Sequence, residues 1–202
     1  MPHRTTRIAA AAVAALGLLT ACSGGGNPGR GNTPPSSAAA SSTAAGDGSG
    51  PKVPAPLNTQ DLVGDNPCKV LTNAEATDFG LVAPGEKATG QVPGCDWRSA
   101  DEAQNSIGLR VSPSQTPHGI SDIYAQKARQ AYFQPVTVDG YPGVYADTQD
   151  GRPSGTCTLW LGVTDQLAVA VIPAIGVGPN KSNPCGLAQK FAGAVVKHLK
   201  AA

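Results

Sequence analysis

Residues 156–172 read TCTLWLGVTDQLAVAVI. Two apolar runs, 156–163 and 167–172, flank the polar step Thr164-Asp165-Gln166. Apolar runs of this length around a short polar turn predict an antiparallel hairpin, and that reading decides the fold class. Upstream the period is again two. Ser106-Ile107-Gly108-Leu109-Arg110-Val111 alternates, as do residues 136–138 and 144–146. Asp139-Gly140 and then Tyr141-Pro142-Gly143 supply turn chemistry between the latter two.

Helical signals surround these strands. Asn183 is a good N-cap, and Pro184 suits a first helical position because its missing N–H would have no partner there. Behind them Leu187, Phe191, Val195 and Leu199 recur every fourth residue, which predicts an amphipathic C-terminal helix. Lys197, His198 and Lys200 suit the negative pole of its dipole. Asn66-Pro67-Cys68 has the same start, and Thr72-Asn73-Ala74-Glu75 fits a capping box for a second stretch reaching Phe79 and stopping at Gly80. Residues 121–133 (SDIYAQKARQAYF) are the central helix candidate, capped by Ser121. The order helix, two strands, helix, four strands, helix predicts an α+β fold, an antiparallel sheet with helices packed on it.

The N-terminus reads as a targeting segment. Arg4 and Arg7 precede the apolar run IAAAAVAALGLL, which is short for a membrane span. Leu19-Thr20-Ala21-Cys22 then looks like a bacterial lipobox, in which cleavage falls before a cysteine carrying a diacylglyceryl group. The expectation is a lipoprotein signal peptide over residues 1–21. Lipidated Cys22 and a Gly/Ser/Ala/Pro tether would follow over 22–59, and a single α+β domain over 60–202. Two or more buried acyl chains make such an anchor stable where one would not, so the expected location is the extracytoplasmic face of the cell membrane. The tether composition cannot bury enough surface to offset its conformational entropy. Flexible-chain scaling gives its roughly 36 residues a reach of about 30–35 Å.

Formal net charge is +1, and loss of Arg4 and Arg7 takes the mature chain to about −1. With no basic stripe, nucleic acid is not an expected partner, because phosphate contacts need clustered Lys and Arg.

Setting Cys22 aside leaves four cysteines, Cys68, Cys95, Cys157 and Cys185. An even number in an exported chain reads as two disulfides, with three pairings open. Spacing favours Cys68–Cys95 and Cys157–Cys185, each closing a loop of about 28 residues and contributing roughly 3–4 kcal/mol on the loop-entropy model. Each bridge would pin a helix start to the sheet. A helix N-terminus also lowers a thiol's pKa, but redox and zinc sites characteristically use a Cys-x-x-Cys pair, and no two of these cysteines lie close in sequence.

The sequence also resembles a family. Asn66-Pro67-Cys68 is followed by Leu71-Thr72, then come Pro93-Gly94-Cys95-Asp96-Trp97 and Cys157 opening a late strand. Asn183-Pro184-Cys185 heads an Ala/Leu-rich terminal helix, all behind a lipobox and a Pro/Ser-rich tether. This arrangement is similar to the actinobacterial envelope lipoproteins grouped as domain of unknown function 3558. The resemblance implies the compartment and the four-cysteine framework. It brings no catalytic residue, since the family's activity is not established.

Chemistry-bearing motifs are sparse. His118 and His198 stand in no metal spacing, and no Gly-x-Ser-x-Gly, Ser-x-x-Lys or phosphate-binding Gly-x-x-x-x-Gly-Lys occurs. Asp147 and Asp150-Gly151 lack the oxygen spacing of a calcium loop and read as a strand connection. An acidic pair of Asp96 with Asp101 or Glu102 has no separation fixed by sequence. Trp97 and Trp160 fall in strand patterns and read as core. Residues 171–180 (VIPAIGVGPN) place Ile172, Ile175 and Val177 as a candidate ligand or partner surface, with core closure the simpler reading. No metal and no cofactor is expected. The leading expectation is a non-enzymatic envelope lipoprotein binding a protein partner or an envelope lipid or wall component. The alternatives are an apolar-ligand carrier and an extracytoplasmic hydrolase with residues scattered in sequence.

Overall fold

In a computed structural model, residues 49–64 and 66–202 are described. Cys22, the expected signal peptide and most of the expected tether lie outside them. The sheet is fully antiparallel and seven-stranded. Its strands are β1 (Glu86–Lys87), β2 (Gly94–Arg98), β3 (Asn105–Val111), β4 (Tyr132–Val138), β5 (Tyr141–Asp147), β6 (Leu159–Thr164) and β7 (Leu167–Ile175). The spatial order is β1-β2-β3-β7-β6-β5-β4. The helices are α1 (Gln60–Val63), α2 (Asn73–Asp78), α3 (Ser121–Ala125) and α4 (Pro184–Ala201), with 3-10 turns at Pro67–Val70, Lys127–Arg129, Arg152–Ser154 and Pro179–Ser182. The predicted α+β class is therefore the observed one.

The deciding hairpin forms with a two-residue turn. Thr164 pairs with Leu167, and the Gln166 N–H donates to Thr164 Oγ1 at 3.1 Å. Its first strand begins at Leu159 instead of Thr156, and Thr156 makes only an isolated bridge to Ala174. The β4–β5 turn is Asp139-Gly140 alone, with φ of 49° and 89°. That left-handed pair matches the twist of a tight hairpin. Tyr141-Pro142-Gly143, read as turn from sequence, is the start of β5. The short edge strand β1 carries no sequence signal of its own.

The central helix is much shorter than residues 121–133. Helix α3 stops at Ala125, one 3-10 turn follows, and Gln130 adopts an extended conformation (φ −83°, ψ 137°). Tyr132 and Phe133 are then free to pair with Asp147 and Ala146 as the outer strand. Ser121 is the first helical residue and makes no capping bond.

The folded chain begins before residue 60. Gly50 is buried, the Val53 N–H donates to Asp165 Oδ1 at 3.1 Å, and the Leu57 N–H donates to the Val163 carbonyl at 2.9 Å. Pairing between β5 and β6 ends at Gly143–Leu161, so Leu57 takes up a carbonyl that the sheet leaves unpaired.

The two faces of the sheet are packed differently. On one face Trp97, Leu109, Leu159, Leu161 and Val169 lie under α4, whose Phe191, Val195 and Leu199 are almost fully buried. Phe191 meets Trp97 edge-on at 5.3 Å between ring centroids, and Phe79 also at 5.3 Å. On the other face Val144, Ala146 and Ala168 form a smaller cluster with Ile120 and Ile123 of the α3 region, and Trp160 packs at its margin.

Both favoured disulfides are present. Cys68–Cys95 and Cys157–Cys185 have Cα separations of 5.0 and 5.2 Å. Each ties the turn after an Asn-Pro step to the sheet. Asn66 accepts from the Cys68 N–H, and Asn183 from the Gly186 N–H, as caps do. The Thr72/Glu75 capping box is complete in both directions.

Candidate functional site

A cleft of about 450 Å³ opens on the thinly covered face, between α3 with its following 3-10 turn and the ends of β5 and β6. Its apolar wall is Ile123, Ala146 and Trp160, and its polar groups are Gln115, Gln126, Gln130 and Asp147, with Thr116 and Thr148 beside them.

Local sequence places each wall. Thr116 is buried and its hydroxyl accepts from the Ala168 N–H at 3.4 Å. This extends the β7 ladder beyond Val111, the last β3 residue paired with it, and fixes the loop that carries α3. Ile120 then seats against Gly162 of β6, where an added Cβ would lie 3.3 Å from Ile120 side-chain atoms. The Lys127–Arg129 turn closes over Phe133. The Lys127 ammonium lies 5.4 Å from that ring centroid, and Tyr124 meets the ring edge-on at 5.0 Å. Two carboxamides are held along this edge, Gln126 Nε2 donating to the Asp122 carbonyl at 3.0 Å and Gln130 Nε2 to the Gln126 carbonyl at 3.5 Å.

The floor is equally fixed. The Trp160 Nε1–H donates to the Ala146 carbonyl at 3.2 Å, which commits the indole's polar edge to the sheet and leaves a half-buried ring beside the cleft. Asp147 accepts from the Thr158 hydroxyl at 2.6 Å and from the Gln149 N–H at 3.2 Å. Burial pushes the Tyr132 phenol above its ordinary range and the Asp147 charge adds to this, outweighing its bond from the Thr158 N–H and the nearby Arg152 guanidinium. Tyr132 therefore stays protonated at neutral pH. Among the cleft's lining residues Asp147 is the one carboxylate.

The residues singled out from sequence lie elsewhere, apart from Asp147 and Trp160. Asp96 bonds Arg110 at 2.7 Å, while Asp101 and Glu102 sit in an exposed connection. Asp150 forms a two-pronged pair with Arg152, whose bonds and charge hold its carboxyl below the usual range. His118 faces Asp122 at 3.0 Å, and His198 lies 3.4 Å from Asp61 and 3.7 Å from Glu75. Ile175 is buried at 5 % exposure, Ile172 and Val177 are half-buried, and the Asn105 carboxamide clasps the Val177 backbone at 3.0 and 3.1 Å. Among the described residues no group of three or more His, Cys, Asp or Glu could hold a metal ion, and no helix is long and apolar enough to cross a membrane.

The cleft's residues come from positions 115–116, 123–130, 146–148 and 160, and no motif joins them. Sequence reading placed Trp160 in the core and Asp147 in a connection. The available signal was an aromatic in a strand whose facing helix is too short to cover it.

The fold and cleft define a doubly stapled antiparallel sheet with one sealed face and one grooved face. The chain belongs to the family described as protein of unknown function (DUF3558), whose model matches residues 17–198. No curated protein and no solved structure matches the chain.

Proposed function

We propose that this protein is a lipid-anchored extracytoplasmic binding module, held at the cell membrane through Cys22 and acting by recognition without catalysis. The observation that carries the binding part is the cleft itself. A rigid aromatic wall is ringed by hydrogen-bonding side chains, and one carboxylate stands without a second titratable partner among the lining residues. General acid–base chemistry needs two groups of opposed role within reach of one substrate, whereas orientation of a ligand needs only the polar ring and the wall. The carboxamide lining also weighs against an apolar carrier, since burying amides against hydrocarbon without partners costs several kcal/mol.

The anchor rests on Leu19-Thr20-Ala21-Cys22 behind a basic, apolar leader. Expression with an alkyne-tagged fatty acid tests it. The wild-type chain should take up label and sediment with membranes, and Cys22→Ala should lose both. Unlabelled wild-type chain would contradict the anchor. For the binding part, ligand-dependent shielding of Trp160 is the expected signal, and turnover that is abolished by Asp147→Asn would favour a hydrolase instead.

A further inference from the structure

We infer that the Trp160 cleft takes a neutral carbohydrate chain, an inference that rests on the binding-module reading above. Three features select the ligand class. The first is the sign of the charge. No lysine, arginine or histidine is among the lining residues, and the one acidic side chain there is Asp147. A phosphate, an anionic headgroup or an acidic polymer would meet a like charge at Asp147 with no cation among the lining residues. Of the cations nearby, Lys127 and Arg129 lie exposed on the bounding turn, the former over the Phe133 ring, and Arg152 is paired with Asp150.

The second is the mixture of surfaces. An acyl chain would cover Trp160 and Ile123 but leave the Gln115 amide and the carbonyl oxygens of Gln126 and Gln130 without partners. A sugar ring has an apolar C–H face and a rim of hydroxyls. The face matches the Trp160 ring, and the rim matches groups that both donate and accept.

The third is rigidity. The indole is pinned by its bond to Ala146; Gln126 is tethered by its bond to the Asp122 carbonyl at 3.0 Å, and Gln130 only loosely to the Gln126 carbonyl at 3.5 Å. In both glutamines the side-chain N–H group is engaged and the carbonyl oxygen is left to accept from a hydroxyl. An aromatic ring already fixed in place loses little entropy on binding. The volume, about 450 Å³ and open along one side of α3, holds one or two sugar rings with room for the chain to continue.

The test uses the full chain in a detergent without a sugar headgroup, titrated separately with chitotriose and maltotriose while tryptophan emission is followed. Trp97 is 1 % exposed, so a change in emission reports Trp160. A saturable change with at least one trisaccharide is expected. Read by isothermal titration calorimetry, which does not depend on the removed indole, Trp160→Ala should weaken that binding at least tenfold and Gln130→Ala about threefold, with near-ultraviolet dichroism from Trp97 showing that each variant is folded. Binding of neither trisaccharide, or binding unaltered in both variants, overturns the inference. Vesicles of phosphatidylglycerol and an uncharged alanine–serine peptide complete the set. If either shields Trp160 where the sugars do not, the carbohydrate assignment fails and the binding-module reading survives. If no probe shields it, both fail.

Discussion

The two tryptophans stand on strands of one sheet and do opposite things. Trp97 is 1 % exposed and meets Phe191 edge-on, under an 18-residue helix. Trp160 is half-buried beside a cleft, next to a five-residue helix. Both read as core in a strand pattern, and the length of the facing helix separates them. Both disulfides also serve the Trp97 face: Cys68, Cys95 and Cys157 belong to its core and Cys185 packs against it. Stability is thus concentrated on one face, and the other is left to present an aromatic surface.

The largest expected effect breaks the sealed face. Phe191→Ala removes the ring shared by Trp97 and Phe79 and should cost about 3–5 kcal/mol in denaturant unfolding. Trp160→Ala, taken from the half-open face, should cost only about 1–2 kcal/mol. Equal losses would mean that the two faces are packed alike. Between them in size, replacing Cys157 and Cys185 together by alanine reopens a loop with a separation of 28 residues and should cost about 2–4 kcal/mol. That loss should leave sugar binding within a factor of two once the variant is folded. Smaller again, Asn183→Ala removes the acceptor for the Gly186 N–H and should cost about 1 kcal/mol.

The smallest effect is pH-dependent. Burial pushes the Glu75 carboxyl up, but bonds from the Thr72 N–H and hydroxyl and the nearby charges of His198 and Lys197 outweigh it and leave the group below its ordinary range. A depressed folded value means that its stabilisation is present above the unfolded value and is lost as pH falls through the folded one. Thermal unfolding should therefore show a steeper acid loss for wild type than for Glu75→Gln as pH falls through and below the ordinary carboxylate range. Parallel curves would remove Glu75 from the account.

Much of the sealed face was legible in sequence. Residues 184–199 carry a four-residue apolar repeat behind an Asn-Pro start, and the observed helix covers them. The Thr72/Glu75 box and the two cysteine pairings are also local matters of spacing and capping. The same grammar shows its limit at residue 66. Asn66-Pro67 starts only one 3-10 turn because Thr72 must be extended (φ −69°, ψ 160°) to cap α2, so the chain leaves the helix at Leu71. The grooved face was not legible. Residues 121–133 have helical composition throughout, yet pairing of Tyr132 and Phe133 with β5 overrides it and shortens the cover. The docking of residues 50–57 likewise answers an unpaired Val163 carbonyl, which no composition rule foresees.

Hydroxyl-radical footprinting of the full chain, with and without chitotriose or maltotriose and read by mass spectrometry, tests the division of labour most directly. The account predicts that Trp160 and the peptide carrying Gln126 and Gln130 are oxidised in the free protein and protected by a bound sugar, while Trp97 and the residues of α4 do not change. Protection confined to the α4 face, or none at Trp160 with saturating sugar, would contradict it.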